Sequence, residues 1–524
     1  MSLVVVASLA CINARGAEDL FLLTIRPGDT LIGISQRYLD RVDRWPALKT
    51  LNKIDNEFHL PPGGVLRIPA AWLRWRGGNA EVAYIHGAVR GTRGPLAVGM
   101  RLSEGETFDT GDDGMLTLRL RDGASVTFPP GTKARLGVLR QVQGTSLDDT
   151  AIDLERGATE SRVPSLRSSG SHYEIRTPRV VTAVRGTHFR VAAADGVSRH
   201  ELLAGALQLA GDGGSARLAP GQGLRADGGR LGAAVALLSA PDLSTLPDTV
   251  TRTVARLRLS ITDNTGVSGW RWQVAEDVDF LRLLKDERTT APEWTLAGLP
   301  DGDYFLRVRA ADIHGIEGLD AMRSFALRAR PEPPVMLAPA PAGLIAGAPV
   351  LRWAQNAEAA CVRLQVARDA AFTDLLVERA GICQSQFAFA AALPPGNYHW
   401  RLASLRVDGY AGPLGDAAVF RQIEPTTMTP PEVADGAVRL SWSGPADLRY
   451  VVQIAAAPDF AVPVREMEVA GTQTRIDGLG GGVYYVRTRP VLPGDNAPWS
   501  TTQRFEIPVK APWWLLLLVA PLLL

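Results

Sequence analysis

The side chains best suited to metal or nucleophilic chemistry in this 524-residue chain are seven histidines (His59, His86, His172, His188, His200, His314 and His399) and three cysteines (Cys11, Cys361 and Cys383). Their spacing offers little. No histidines form an HExxH pair or another tight ligand spacing. There is no GxSxG elbow, no GxxxxGK[ST] phosphate loop, and no GxGxxG behind a strand; Gly221-Gln222-Gly223 reads as a β-turn. Arg185 and His188 read as a turn arginine and a strand histidine. Acidic residues are plentiful, but no pair is singled out before a fold places them. The expectation is no catalytic residue, no metal ligand and no cofactor: not an enzyme. Cys361 and Cys383 leave two readings open. In an oxidising compartment a bridge between them contributes about 3 kcal/mol by the chain-entropy account; otherwise they are two buried free thiols.

Composition narrows the class. Lys+Arg number 56 against 55 Asp+Glu, a net charge of +1, so no basic stripe argues for nucleic acid. Charged residues at 21% and hydrophobic residues at 46% argue against wholesale disorder. A single core does not grow to this length, and at roughly 150 residues each about three or four domains follow. The lysines are only Lys49, Lys53, Lys133, Lys285 and Lys510; the excess of arginine reflects a GC-rich genome more than a function.

Residues 21–70 read as a βααβ unit. Phe21 to Ile25 is a short apolar strand, and Pro27-Gly28-Asp29-Thr30 turns into a helix with Leu31, Ile34 and Tyr38 at helical spacing. A second helix carries Trp45, Leu48 and Leu51, with Pro46 tolerable in its first turn. Asn52 ends it, and Pro61-Pro62-Gly63-Gly64 leads into the strand Val65 to Pro69. The strings TIRPGDTLIGISQRYL, LNKI and LPPGGVLRIP, in that order, resemble a LysM module over nearly its whole length. The resemblance implies binding of N-acetylglucosamine-containing glycans, peptidoglycan above all, in a shallow groove. Two loops would line it: Gly28-Asp29-Thr30-Leu31 and Asn52-Lys53-Ile54. Gly28 would let the backbone approach a ligand, Asp29 or Thr30 would cap the helix, and Leu31 and Ile54 would meet an N-acetyl methyl. For Asn52, C-capping is the stronger reading than ligand contact.

Residues 78–240 read as β throughout. Met115 to Arg121 alternates, Asp122-Gly123 turns, and Val126 and Phe128 follow; a three-residue loop pairing Leu120 with Val126 and Leu118 with Phe128 keeps one apolar face. Further strands are expected at 173–176, 180–184, 188–192, 201–203 and 206–209. Gly87-Ala88-Val89-Arg90, Asp109-Thr110-Gly111, Leu118 to Val126 and above all Val184-Arg185-Gly186-Thr187-His188-Phe189-Arg190-Val191 resemble a FecR domain. In the regulator that names that family, such a domain relays a transporter signal to a sigma factor. What carries over here is a periplasmic interaction module.

An internal repeat decides the class of the remainder. Gln273, Gln365 and Gln453 each follow an alternating run and each precedes a phenylalanine (Phe280, Phe372, Phe460) at one fixed step. A G-x-Y motif then brings Tyr304, Tyr398 and Tyr484, followed by Arg307, Arg401 and Arg487, and Phe325, Phe420 and Phe505 close the copies. Short strands in three copies mean β-sandwiches. They resemble fibronectin type III modules, with Trp353 and Trp442 as the inward tryptophan, a tyrosine corner at each G-x-Y, and a differently packed first copy with Ile261 at that place. Pro331–Pro341 and Thr426–Pro431 read as stiff linkers.

At the ends, an apolar run from Leu3 to Ile12 before Ala14-Arg15-Gly16-Ala17 resembles an export signal. The tail from Ala511 to Leu524 would span about 21 Å as a helix, short of a roughly 30 Å hydrocarbon core, so membrane contact or a packed tail are both open. The expected organisation is signal 1–17, LysM 21–70, FecR-like domain 78–240, sandwiches 252–330, 345–423 and 430–508, and tail 511–524: a multidomain, mainly β protein. The expected function is a non-catalytic envelope protein of a Gram-negative periplasm that binds peptidoglycan and offers its β domains to envelope proteins. A signal-sensing role through the FecR-like domain is the alternative.

Overall fold

The computed structural model describes residues 20–145, 147–164, 171–184, 186–260, 265–492 and 495–509. The export signal (1–17, with Cys11), the apolar tail (511–524), Arg185 and Ile261 lie outside these residues. Strand accounts for 53% of the chain and helix for 4%, so the protein is mainly β with one small helical module. The chain forms two compact units: one runs to Val250 and continues over Val254–Leu327, and the other takes Thr251–Thr253 and everything from Arg328.

At the start of the first unit, Leu20–Thr24 pairs antiparallel with Val65–Pro69, and helices Leu31–Tyr38 and Trp45–Leu51 stand between them in sequence. Leu31, Ile34 and Tyr38 are buried together because steps of three and four return to one helix face. They pack on Phe21, Leu48, Leu66 and Ile68, and Val142 and Leu147 of the next domain complete this thin core.

That next domain is a double β layer whose pairings close on themselves into a barrel. One strand, Asp148–Arg162, belongs to both layers. Its first half pairs with Lys133–Val142 and its second half, from Gly157, with His188–Ala194. Gly157 marks the crossing with φ +94°, and a Cβ there would meet Thr132 Cα at 2.4 Å, so glycine alone permits the bend. Leu118, Val126, Phe128, Ile152, Tyr173 and Phe189 fill the interior. The hairpin corrects the expected register. Val126 lies opposite Leu118 and Phe128 opposite Leu116, two residues from expectation. The apolar face survives because the slip is even. The three-residue turn sits one residue earlier, on Arg121-Asp122-Gly123, because Leu120 N donates to Ala124 O (2.8 Å) and the Asp122 carboxylate accepts from Ala124 N (2.9 Å).

The three repeats are two-sheet sandwiches. Each tyrosine corner forms: Tyr304 Oη donates to Pro300 O (2.8 Å), Tyr398 to Pro394 O (2.9 Å) and Tyr484 to Gly480 O (3.1 Å). Each tyrosine ring also lies 5.5–5.7 Å from the closing phenylalanine. Trp353 and Trp442 are buried as expected, and the first copy fills its core instead with Trp272 against Trp294, 5.9 Å apart. One expected linker is partly strand, since Val335–Ala338 pairs with Val350–Ala354. Cys361 and Cys383 are joined by a disulfide, with Cα atoms 4.0 Å apart.

Candidate functional site

Of the two loops expected to line a glycan groove, 28–31 is joined to the chain three residues past Ile54, Leu31 N donating to Glu57 O at 3.0 Å. Within them the expected residues divide into frame and surface. Thr30 caps its helix, its Oγ1 accepting from Gly33 N at 3.0 Å. Asp29 accepts from Arg26 N (2.8 Å) and pairs with Arg37 (3.4 Å), bracing the first loop. Asn52 donates to Leu48 O (2.9 Å) and Arg67 O (2.8 Å) and accepts from Arg67 N (2.7 Å), so both faces of its amide serve to tie the second loop to the edge strand. Leu31 is a correction: it is fully buried, and belongs to the core stripe rather than to the groove. Gly28 adopts φ +85° with open space where a Cβ would stand, so its role is the turn itself. Ile54 is half-buried against the module core. The sequence reading passed over Phe58, which stands 67% exposed on the second loop; an aromatic just before the turn-forming prolines was the available signal.

A second arrangement recurs in all three sandwiches. An acid, the repeat glutamine and the repeat arginine sit opposite one another across three strands: Asp286–Gln273–Arg307, Glu378–Gln365–Arg401 and Glu466–Gln453–Arg487. In each, the glutamine amide donates to the acid, at 3.0, 3.1 and 2.7 Å. Its oxygen accepts from the arginine Nε at 2.9, 2.8 and 2.8 Å. The guanidinium lies over the repeat phenylalanine at 4.2, 3.8 and 4.1 Å from the ring centre.

In the first copy this row is buried against the barrel. Arg307 grips Glu160 of the Asp148–Arg162 strand with both terminal nitrogens, each at 2.8 Å. His188 Nε2 meets the same carboxylate at 2.8 Å. Arg271 bridges Asp286 and Glu317, and Arg190 of the barrel reaches Asp320 (3.1 Å) and the Glu317 carbonyl (2.9 Å). Burial would raise the Glu160 carboxyl, but Arg307, His188 and Arg309 outweigh it and hold it well below the usual carboxylate range. Glu317 is held low against burial by Arg271, Arg309, Arg288 and Arg190. Glu201 goes the other way, pushed up to about 7 by burial, with Arg190 opposing and Glu317 adding to the rise. Beside this network opens a cleft of about 690 Å³ lined by Arg156, Glu160, Arg190, Arg199, Arg288 and Glu317 among others. His200 is a core residue, held between Thr182 and Ser198 and brought down to about 3 by burial. The arrangement can bind and position charge. Among the described residues no group of three or more His, Cys, Asp and Glu stands close enough to hold a metal ion, and no helix is long and apolar enough to cross a membrane.

Residues 23–69 match the LysM domain family and residues 106–208 match the FecR protein family. Both, like fibronectin type III modules, are non-catalytic kinds of domain. No curated protein matches the chain. Among solved structures, a putative anti-sigma factor from Parabacteroides distasonis is similar at 19% identity over 25% of this chain, with TM-score 0.22; the match spans 59% of that protein's length. The FN1–FN3 domains of chicken CNTN1 align at 16% identity over 49% of this chain and 95% of theirs, TM-score 0.22. A two-domain fibronectin type III segment of chicken tenascin aligns at 15% identity over 34% of this chain and all of its own length, TM-score 0.18. The LysM match points to peptidoglycan binding, and the FecR match is consistent with an envelope signalling role.

Proposed function

We propose that this is an exported, non-catalytic cell-envelope protein of a Gram-negative bacterium that holds peptidoglycan through the N-acetylglucosamine units of its glycan. The observation that carries this reading is the LysM match over residues 23–69. One shallow groove binds weakly, so retention rests on many repeated glycan sites and rapid rebinding. The groove loops carry few charges, so binding depends little on salt. The intact protein should co-sediment with isolated sacculi in low and moderate salt. N-acetylglucosamine oligomers should displace it, and glucose oligomers of equal length should not. Removing residues 21–70 strips the cover from Val142 and Leu147, so Phe58→Asp, on an exposed side chain, is the cleaner variant. Sedimentation unchanged by Phe58→Asp and by removal of the module would sink the wall-binding reading. Equal displacement by both oligomers would remove the acetamide specificity alone.

A second reading is favoured by the charge network. A sandwich locked to the FecR-like barrel through Glu160 suits a domain that passes a change of shape to its neighbour, and so an envelope sensor.

A further inference from the structure

The repeated row is occupied in one copy and open in two. In the first sandwich, Gln273 orients the Arg307 guanidinium over Phe280, and its two outer nitrogens take the Glu160 carboxylate. The second and third sandwiches reproduce the register, the glutamine bond and the ring contact. Yet among the described residues neither Arg401 nor Arg487 has an ion-pair partner within 4 Å, and both are only half-buried. Burial and then Arg489 lower the Arg487 guanidinium pKa, and Glu466 offsets them only in part; beside Phe460, the Trp499 ring also lies 4.4 Å from this guanidinium.

Two further features belong to the occupied copy and are ready in the others. Phe280, Phe372 and Phe460 all take left-handed backbone, at φ 56°, 59° and 55°. A bulky residue adopts that conformation only under constraint from its surroundings, so each copy builds the same fixed platform under its arginine. Beside it, Leu283 of the first copy packs on Met115 of the barrel. The strand position equivalent to Leu283, opposite Ala367, is Leu375 in the second copy, and it is 38% exposed; in the third copy that position, opposite Ala455, is the half-buried Pro463, with Val464 next to it 52% exposed.

We propose that Arg401 and Arg487 are docking positions for a second protein whose β-strand presents a glutamate or aspartate carboxylate, as the strand Asp148–Arg162 presents Glu160 to Arg307. The chemistry is a bidentate guanidinium–carboxylate fork flanked by apolar contact, and its specificity lies in the fork. Lysine at either position keeps the charge and loses the fork.

The test uses the full chain with ¹⁵N-labelled arginine, the Nε signals of Arg401 and Arg487 being assigned from the Arg401→Lys and Arg487→Lys variants. The probes are the capped peptide Ala-Thr-Glu-Ser, its Gln analogue, sodium acetate and a soluble peptidoglycan fragment. The Glu peptide should shift both signals with a Kd on the order of millimolar, since one fork and a small apolar contact supply little more. The Gln peptide should leave them unmoved, and acetate should bind about fivefold more weakly because it lacks the strand contacts. In each lysine variant the remaining arginine should respond to the Glu peptide as in the wild type, and the circular dichroism should be kept. The proposal is overturned if the Glu peptide moves neither signal, if the Gln peptide acts equally, if acetate matches the peptide, or if only the peptidoglycan fragment shifts them.

Discussion

The first sandwich and the two that follow carry the same row of acid, glutamine and arginine in two different surroundings. Under the barrel, the Arg307 and Asp286 side chains are each 2% exposed, and every charge in reach is answered by another. In the second sandwich Arg363 and Glu378, beside the same glutamine, are 39% and 44% exposed. The fold specifies the row, and its surroundings decide what the row is worth. Open ion pairs contribute about 0–1 kcal/mol, whereas stripping one partner from a buried pair costs about 3–5 kcal/mol.

The largest expected effect tests that contrast directly. Arg307→Ala leaves Glu160 buried with only His188 at 2.8 Å and Arg309 at 3.4 Å, without the bidentate fork, and should destabilise the first unit by about 3–5 kcal/mol. Arg401→Ala and Arg487→Ala should each stay within about 1 kcal/mol. Hydrogen exchange read peptide by peptide in urea separates the three sandwiches. Equal losses in all three would break the comparison.

Next comes the staple that only the second copy has. Gly269 and Arg449 hold the equivalent strand positions in the other two, four residues before the repeat glutamine. Reduction should weaken the second sandwich by about 3 kcal/mol and leave the first and third unmoved. Mass spectrometry of the unreduced protein should show neither Cys361 nor Cys383 open to alkylation. If both alkylate at once, the bridge is absent.

The smallest effect is pH-dependent and confined to the buried row. Glu201 ionises at about 7 in the folded protein, above its unfolded value, so its contribution is complete in acid and is lost as pH rises toward 7. Glu160 and Glu317, held low, contribute above their unfolded values and lose that contribution as pH falls through their folded ones. Between about pH 4.5 and 7 the wild type should therefore lose on the order of 2 kcal/mol relative to Glu201→Gln. Parallel stability curves for the two proteins over that window would show that Glu201 ionises normally.

What the sequence disclosed was whatever a short stretch of chain decides for itself. The Gln273, Phe280 and Tyr304 pattern and its two echoes are local, and the sandwiches followed from them. Leu31 was misassigned to the groove although its spacing with Ile34 and Tyr38 already marked it as core. The hairpin at 115–128 kept its apolar face but not its register, because Leu120 and Ala124 bond to each other and draw the three-residue turn one residue toward the N-terminus. The buried network was invisible. Glu160 and Arg307 are 147 residues apart, and a buried acid in a strand looks like any solvent-facing one until its partner is known.

The bend at Gly157 has a mechanical consequence. At one end of Asp148–Arg162, Leu147 sits beneath the LysM core; at the other, Glu160 and Arg162 hold the first sandwich, the latter through Asp279 at 2.8 Å. The strand has 15 residues, which at about 3.3 Å each makes a tie of roughly 50 Å. Tension between the two ends travels along covalent backbone, and the flanking rungs of hydrogen bonds are sheared together rather than unzipped singly. The strand is thus a tie of nearly fixed length, and a tug on the LysM module would arrive at the sandwich undiminished by stretch.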